Sequence, residues 1–386
     1  MIAASLLRRP SRVALLLGAT LGSALVTRAD AQGALSAQGF GYPPGGYSAR
    51  ALGTAGATGE FDLLSSRNPA AVAEIGSGIV SAQGEPETRT LRIGDVSERS
   101  RLQRVSLIAA GLRVRGVGLL VSSSTLLDRS FRTRSAGEAL IDGTPVPTVD
   151  DFESRGAMGE LRLSAGWTWR GLSLGAAAVA ITGQHDVVRA RAFPDSLGFG
   201  TVGDSSTVGF QGIGGALGVS WRATDGLLLG ASWRAGGGLD AVRRDSTLGG
   251  ASVPGRLGAA VLYDGFAGTV LAASVERVGW SAMNGLGSEA ATARDATNWS
   301  VGAEFASGTI RRFPIFWRVG YAQRALPFLL DGEAVSERAL HAGVGLPVAG
   351  EAAVFDIAFQ RGQRRIPSDR AQEDAWSITA GLTIRP

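Results

Sequence analysis

Residues 161–169, Leu161-Arg-Leu-Ser-Ala-Gly-Trp-Thr-Trp169, put Leu161, Leu163, Ala165, Trp167 and Trp169 on one side of an extended chain. Arg162, Ser164, Gly166 and Thr168 fall on the other. Side chains of a β-strand alternate with period two, so this stretch reads as a strand with one apolar face. The run Trp376-Ser-Ile-Thr-Ala-Gly-Leu-Thr-Ile384 alternates in the same way, as do residues 299–305 and 340–346. No segment after the first thirty residues offers the ~18 unbroken apolar residues of a membrane-spanning helix.

A soluble sandwich and a transmembrane barrel both produce such strands. Turn spacing separates them. Tight turns are expected at Arg115-Gly116, Arg170-Gly171, Asp225-Gly226, Asp264-Gly265, Ser307-Gly308 and Ala349-Gly350. Between them lie polar segments, Ala136–Arg155, Ala190–Ser205, Gly236–Gly250 and Met283–Ala296, that read as long loops. Short turns alternating with long loops are the asymmetry of outer-membrane barrels. Trp167, Trp169, Trp221, Trp233, Trp280, Trp317 and Trp376 stand near strand ends, where interfacial girdles sit. Six turns join six strand pairs, and strands near Ser77–Leu91 and Asp374–Arg385 flank them. The expectation is therefore an all-β fold, a transmembrane antiparallel β-barrel of about fourteen strands, in the bacterial outer membrane.

Composition agrees. Charged residues make up 19% of the 386, below the soluble average of about 25%, while 45% hydrophobic residues exclude a wholly disordered chain. The absence of Cys excludes disulfide scaffolds, thiolate metal sites and cysteine nucleophiles. Every basic residue is Arg, so the high isoelectric point reflects arginine usage. Arg8, Arg9 and Arg12, the apolar run Val13–Val26 and the small-residue pattern Ala29-Asp30-Ala31 read as a signal peptide over residues 1–31, cleaved before Gln32. Its removal takes away Arg8, Arg9, Arg12, Arg28 and Asp30 and lowers the formal charge from +4 to about +1. The remaining arginines are scattered, and no nucleic-acid partner is expected.

Residues 32–74 do not alternate and are rich in Gly and Ala. They are too short for a separate domain, whereas a barrel of fourteen strands has an interior that its own side chains cannot fill. The segment is expected to enter that interior as a hatch, with the barrel over 75–386. Asn68 can bond the backbone locally and Pro69 fixes φ, which suits a rigid corner between lumen and wall. A resemblance appears at these residues. Ser48-Ala-Arg-Ala-Leu-Gly53, Gly56-Ala57 and Ser66-Arg67-Asn68-Pro69-Ala70 resemble the long-chain fatty acid transporter (FadL) family. The motif residues span about twenty-five positions, and length, hatch position and strand count agree over the rest. The resemblance implies an Asn-Pro-Ala hatch motif (here Arg50, Gly53, Asn68, Pro69 and Ala70) and uptake of long-chain fatty acids or similar hydrophobic molecules. It also leaves open a role like that of the secretion shuttle protein PorV, which shares the plan and handles protein cargo. The ending Ile384-Arg385-Pro386 departs from the terminal aromatic usual in barrels, which puts the usual signal to the assembly machinery in doubt.

Catalytic chemistry is sparse. His185 and His341 are the two imidazoles, and a triad needs convergent geometry rather than composition, so no enzyme is expected. The acidic run Asp150-Asp151-Phe-Glu153 lacks the ligand spacing of a calcium loop and reads as a solvated loop near lipopolysaccharide. Gly212-Ile-Gly-Gly215 lies in an alternating strand and reads as packing. No metal or cofactor is implied. Alternation turns Arg162, Arg234, Glu304, Arg318 and Asp356 toward the lumen. Charges there are expected to pair and brace barrel against hatch. The alternative is that Arg162, Arg234 or Arg318 captures a ligand carboxylate with its planar fork.

Overall fold

The computed structural model describes residues 35–37, 39–194, 198, 200–244, 246–286, 292–310, 313–348 and 352–385. The leader and the Ala349-Gly350 turn lie outside the described residues. The strands are β1 (Gly78–Ile93), β2 (Val96–Val114), β3 (Val117–Asp128), β4 (Phe131–Ile141), β5 (Thr144–Trp169), β6 (Leu172–Ala192), β7 (Val202–Thr224) and β8 (Leu227–Arg243). They continue with β9 (Ser246–Ser252), β10 (Gly255–Phe266), β11 (Thr269–Gly279), β12 (Ala296–Ile310), β13 (Phe313–Leu330), β14 (Glu333–Pro347), β15 (Ala353–Arg365) and β16 (Ala371–Ile384). All pairings are antiparallel. β1 pairs β16, and β8 pairs β10, so the ring closes.

Fourteen strands form that ring. β4 pairs only β5, and β9 only β8. Each is the outward continuation of a barrel strand past a short break, at 129–130 for β3/β4 and at 253–254 for β9/β10.

Exterior positions are apolar along the strands: Leu163 is 57% exposed, Trp167 46% and Ile378 45%, whereas Ser164 and Thr379 are 2% exposed. The two-residue turns at Arg115-Gly116 and Arg170-Gly171 have both residues at positive φ, the twist that matches two flanking strands. Asp225-Gly226 also joins its two strands. Two turns fall elsewhere than Asp264-Gly265 and Ser307-Gly308. Bulges at 263–266 and 306–309 carry β10 and β12 onward, so the strands end at Phe266 and Ile310.

The polar segments expected to be long loops are mostly strand. Ala136–Arg155 is the β4–β5 hairpin, and Gly236–Gly250 spans the β8–β9 hairpin. Ala190–Ser205 keeps a connection only between Ala192 and Val202. Met283–Ala296 opens within a 3₁₀ helix, Trp280–Leu286. β5, at 26 residues, far exceeds the 9–11 that cross a bilayer. The excess stands in water, where both faces of a hairpin can be polar, and this is why composition there resembles a loop. Trp280 is 4% exposed and packs inside, so it is no part of a girdle.

Residues 39–76 run inside the ring, with a short helix α1 (Ala49–Gly53) and a 3₁₀ turn, Pro69–Glu74. Nearly all of this stretch is buried against inward-facing wall residues.

Candidate functional site

The inner segment meets the wall at two seats. Asn68 caps the Pro69–Glu74 turn: its Oδ1 accepts from the Ala70 N–H at 2.9 Å, and Pro69 occupies the first turn, where no backbone donor is missed. Asn68 Nδ2 donates to the Val219 carbonyl (3.1 Å) and Ser220 Oγ (3.3 Å). The wall admits this turn through a row of glycines. Gly118, Gly166, Gly175 and Gly218 lie side by side on β3, β5, β6 and β7, each paired in register with the next. A Cβ at Gly175 would lie 2.2 Å from the Pro69 carbonyl carbon, and one at Gly118 would lie 2.0 Å from the Val72 oxygen. Ala70 is fully buried there. The second seat holds α1. Gly302 and Gly320, paired across β12 and β13, face Thr54 backbone, and Gly343 faces Gly53. Ser48 caps α1, accepting from the Ala51 N–H at 3.1 Å, and donates to Asp62 at 2.5 Å.

Charge fills the space between. Below, Arg318 spans Glu304 (2.5 Å) and Asp356 (2.6 Å), and Arg50 on α1 reaches Glu304 at 2.8 Å. At mid-height Glu160 is shared by Arg162 (2.8 Å) and Arg234 (2.6 Å), while Glu276 holds Arg67 (2.8 Å) and Arg256 (2.7 Å). Arg256 also pairs with Glu60 of the inner segment. Above, Tyr42 lies among Arg89, Arg104 and Arg364, the last 4.2 Å from its ring centroid, and its hydroxyl donates to Glu337 at 3.1 Å. Buried charges of this kind are retained only when paired, and breaking one pair strands the other partner. Arg162, Arg234 and Arg318 therefore all stand in ion pairs. Glu160, Arg234 and Tyr47 line a cavity of about 50 Å³.

Toward the outer end the interior turns apolar. Phe40, Leu126, Leu127, Phe210, Trp280 and Phe328 belong to one buried cluster, with Phe40 5.7 Å from Phe328 and 6.2 Å from Phe210, ring to ring. His185 stacks edge-on with Phe210 at 5.0 Å, and His341 lies buried beside Leu52. The histidines are thus in separate packing environments. The acidic run 150–153 lies in β5, where Asp150 pairs Arg191 (2.6 Å), Asp151 pairs Arg132, and Glu153 pairs Arg155 (2.6 Å). Gly212-Ile-Gly-Gly215 sits at a bulge of β7. Among the described residues no group of three or more His, Asp or Glu could hold a metal ion.

The wall itself has a break. β2 pairs β3 only over Leu107–Val114, so its outer half, Val96–Ser106, has no partner on that side among the described residues. A cleft of about 550 Å³ opens there between β2, β4 and β5.

A closed fourteen-stranded barrel with an apolar exterior and a lumen filled by its own N-terminal segment is a transmembrane barrel of the bacterial outer membrane. Its fold is that of the FadL-type transporters. The chain is similar to the Ralstonia pickettii toluene transporter TbuX (TM-score 0.58, 17% identity, covering 88% of this chain and 98% of that one). It is similar to a Pseudomonas aeruginosa FadL homologue (0.59, 13%, 90% and 99%) and to the Pseudomonas putida toluene transporter TodX (0.53, 14%, 90% and 96%). No family model and no curated protein matches the sequence.

The glycine seats and the wall break were not found from sequence. The glycines of the two seats sit on seven strands, and only register aligns them.

Proposed function

We propose that this barrel takes up hydrophobic small molecules, long-chain fatty acids or compounds of similar apolar character, across the outer membrane. Residues 1–31 serve as the signal peptide, 32–74 as the hatch and 75–386 as the barrel. The observation that carries this reading is an aromatic-lined apolar cluster directly behind a break in the wall. Leu126 and Leu127 belong to both: they end β3 beyond its pairing with β2, and they pack with Phe40 and Phe210. A polar solute travels along a wet axis and has no use for such a break. A solute that prefers apolar surroundings can use it. The similar structures include toluene transporters and a monoaromatic hydrocarbon channel, which supports the same class.

In this reading Asn68, Pro69 and Ala70 set the hatch corner, and Arg50 and Gly53 set its helix. Arg162, Arg234 and Arg318 brace hatch against wall, since capture of a ligand by any of them would first break an ion pair. Lipid and lipopolysaccharide surround the wall. Cells lacking their own fatty acid importer should gain uptake from a correctly inserted copy. An inserted copy that confers none and co-purifies with a protein would favour the PorV-like role instead.

A further inference from the structure

Two strand edges border the outer cleft, and among the described residues neither has a partner there. Val96–Ser106 of β2 pairs only β1, and Phe131–Ile141, the whole of β4, pairs only β5. Each free edge is eleven residues long. Neither contains a proline, the β4–β5 ladder has no bulge, and the β1–β2 ladder has none above Val105. Proteins ordinarily blunt exposed edges with such devices. Here alternate residues of both edges direct backbone N–H and C=O groups toward the cleft. Residues 98–103 of β2 and 130–134 at the foot of β4 line it. At about 3.4 Å per residue, the β2 side makes a slot roughly 20 Å long.

Charge opposes direct closure of the two edges. β2 descends from the outer end and β4 rises, so they could pair by continuing the antiparallel β2–β3 ladder. That register sets Leu107 opposite Ser124, and carried upward it would set Arg99 opposite Arg132. Like charges directly opposite destabilise a sheet. Arg104 points into the lumen toward Asp128, so alternation turns Arg99 and Arg101 outward on β2. On β4, Phe131 lies opposite the inward-facing Ser154, which turns Arg132 and Arg134 outward as well. Arg132 is held by Asp151, but Arg99, Arg101 and Arg134 make no ion pair among the described residues. The inward faces differ. Ser100 and Leu102 on β2, below Glu98, and Phe131 and Thr133 on β4 are uncharged and half-buried.

These edges specify a partner. Rows of backbone donors and acceptors at strand spacing are matched by another backbone. A strand laid between them runs antiparallel to one edge and parallel to the other, and mixed sheets of this kind are common. Its outward side chains meet Arg99, Arg101 and Arg134, which calls for acids. Its inward side chains meet Ser100, Leu102, Phe131 and Thr133, which calls for small or apolar residues. The edges of a second copy of this chain carry the same positive charge and are repelled.

We propose that the cleft between β2 and β4 receives, as an added strand, an extended segment of another protein in which acidic and uncharged residues alternate. Main-chain hydrogen bonds to the two edges supply affinity, and the alternation of side chains supplies selectivity. This docking surface is independent of what passes through the barrel.

The test uses the full chain in phospholipid nanodiscs and an end-blocked heptapeptide of alternating valine and aspartate. Fluorescence anisotropy should show it binding at least tenfold more tightly than each of three controls. These are a valine–lysine alternation, the same composition with its aspartates in one block, and the alternating peptide N-methylated at its valines. Arg99→Ser combined with Arg101→Ser, both exposed positions, should weaken the alternating peptide about tenfold. Hydrogen exchange should show new protection in 96–106 and 131–141 together. Equal binding of the alternating and block peptides, or binding that protects neither edge, overturns the proposal, because charge alone then accounts for it. Lipid A that displaces the peptide from wild type, and that itself needs Arg99 and Arg101, overturns it in favour of a lipid surface. Failure of the alternating peptide to bind overturns it too, and leaves the uptake reading untouched.

Discussion

A methyl group added at Gly175 has nowhere to go. Its carbon would lie 2.2 Å from the Pro69 carbonyl carbon and 2.3 Å from both the Pro69 oxygen and the Ala70 nitrogen. These are backbone atoms, so no rotamer change relieves the clash. Reaching ordinary contact requires the turn to retreat by roughly 1 Å. That retreat stretches the two bonds from Asn68 Nδ2 to β7 and those from Arg113 Nη1 to the Ala73 and Ile75 carbonyls (3.1 and 3.0 Å). Overpacking costs about 1–3 kcal/mol and the partial weakening of these hydrogen bonds adds about 1–2 kcal/mol in all, so Gly175→Ala should cost roughly 2–5 kcal/mol. The loss falls on the seat of the inner segment, not on the β5–β6 ladder. Protease should therefore cut near Asn68 while the barrel still migrates as a folded species. Gly159→Ala on β5 is the control, because its nearest neighbours lie at 3.7 Å. Reversible urea unfolding in lipid vesicles, with limited proteolysis alongside, reads both. Equal stability and equal cleavage for the two variants would refute the glycine-seat reasoning.

Three further outcomes follow from the same structure. Leu163→Arg, on the outer face within the membrane band, should cost roughly 2–4 kcal/mol in lipid, whereas Leu140→Arg, 76% exposed on the hairpin in water, should cost about 0–1 kcal/mol. Arg318→Gln strands Asp356 and should destabilise by about 3–5 kcal/mol without altering ligand preference; unchanged urea stability would sink the bracing role. Asn68→Ala removes the cap and both contacts to β7, and should lower stability by about 0.5–2 kcal/mol with altered uptake by the folded barrel.

Alternation in 161–169 and 376–384 was enough to read strands, their lipid face and a barrel, because period two depends only on local sequence. Strand ends were less legible. Gly265 and Gly308 look like turn residues, yet each sits at a bulge that lets its strand run on. Polar hairpins above the membrane resemble loops, since neither face there is buried in lipid. Trp280 carries the same side chain as the girdle tryptophans, and only its place in a 3₁₀ turn takes it inside. The inward direction of Arg162, Arg234 and Arg318 was readable, but the carboxylates they meet were not. Arg234 meets Glu160 across 74 positions of chain, a pair set by register and lumen filling, whereas Arg162 meets it from two residues away on the same face of β5.

The central claim is that apolar solutes pass this plugged barrel, and transport into outer-membrane vesicles bearing lipopolysaccharide tests it most directly. Vesicles with the full chain and vesicles without it would be offered a radiolabelled long-chain fatty acid and a radiolabelled disaccharide. The account predicts faster entry of the fatty acid when the barrel is present, and no change for the disaccharide. Faster entry of the disaccharide, with the fatty acid unchanged, would contradict it.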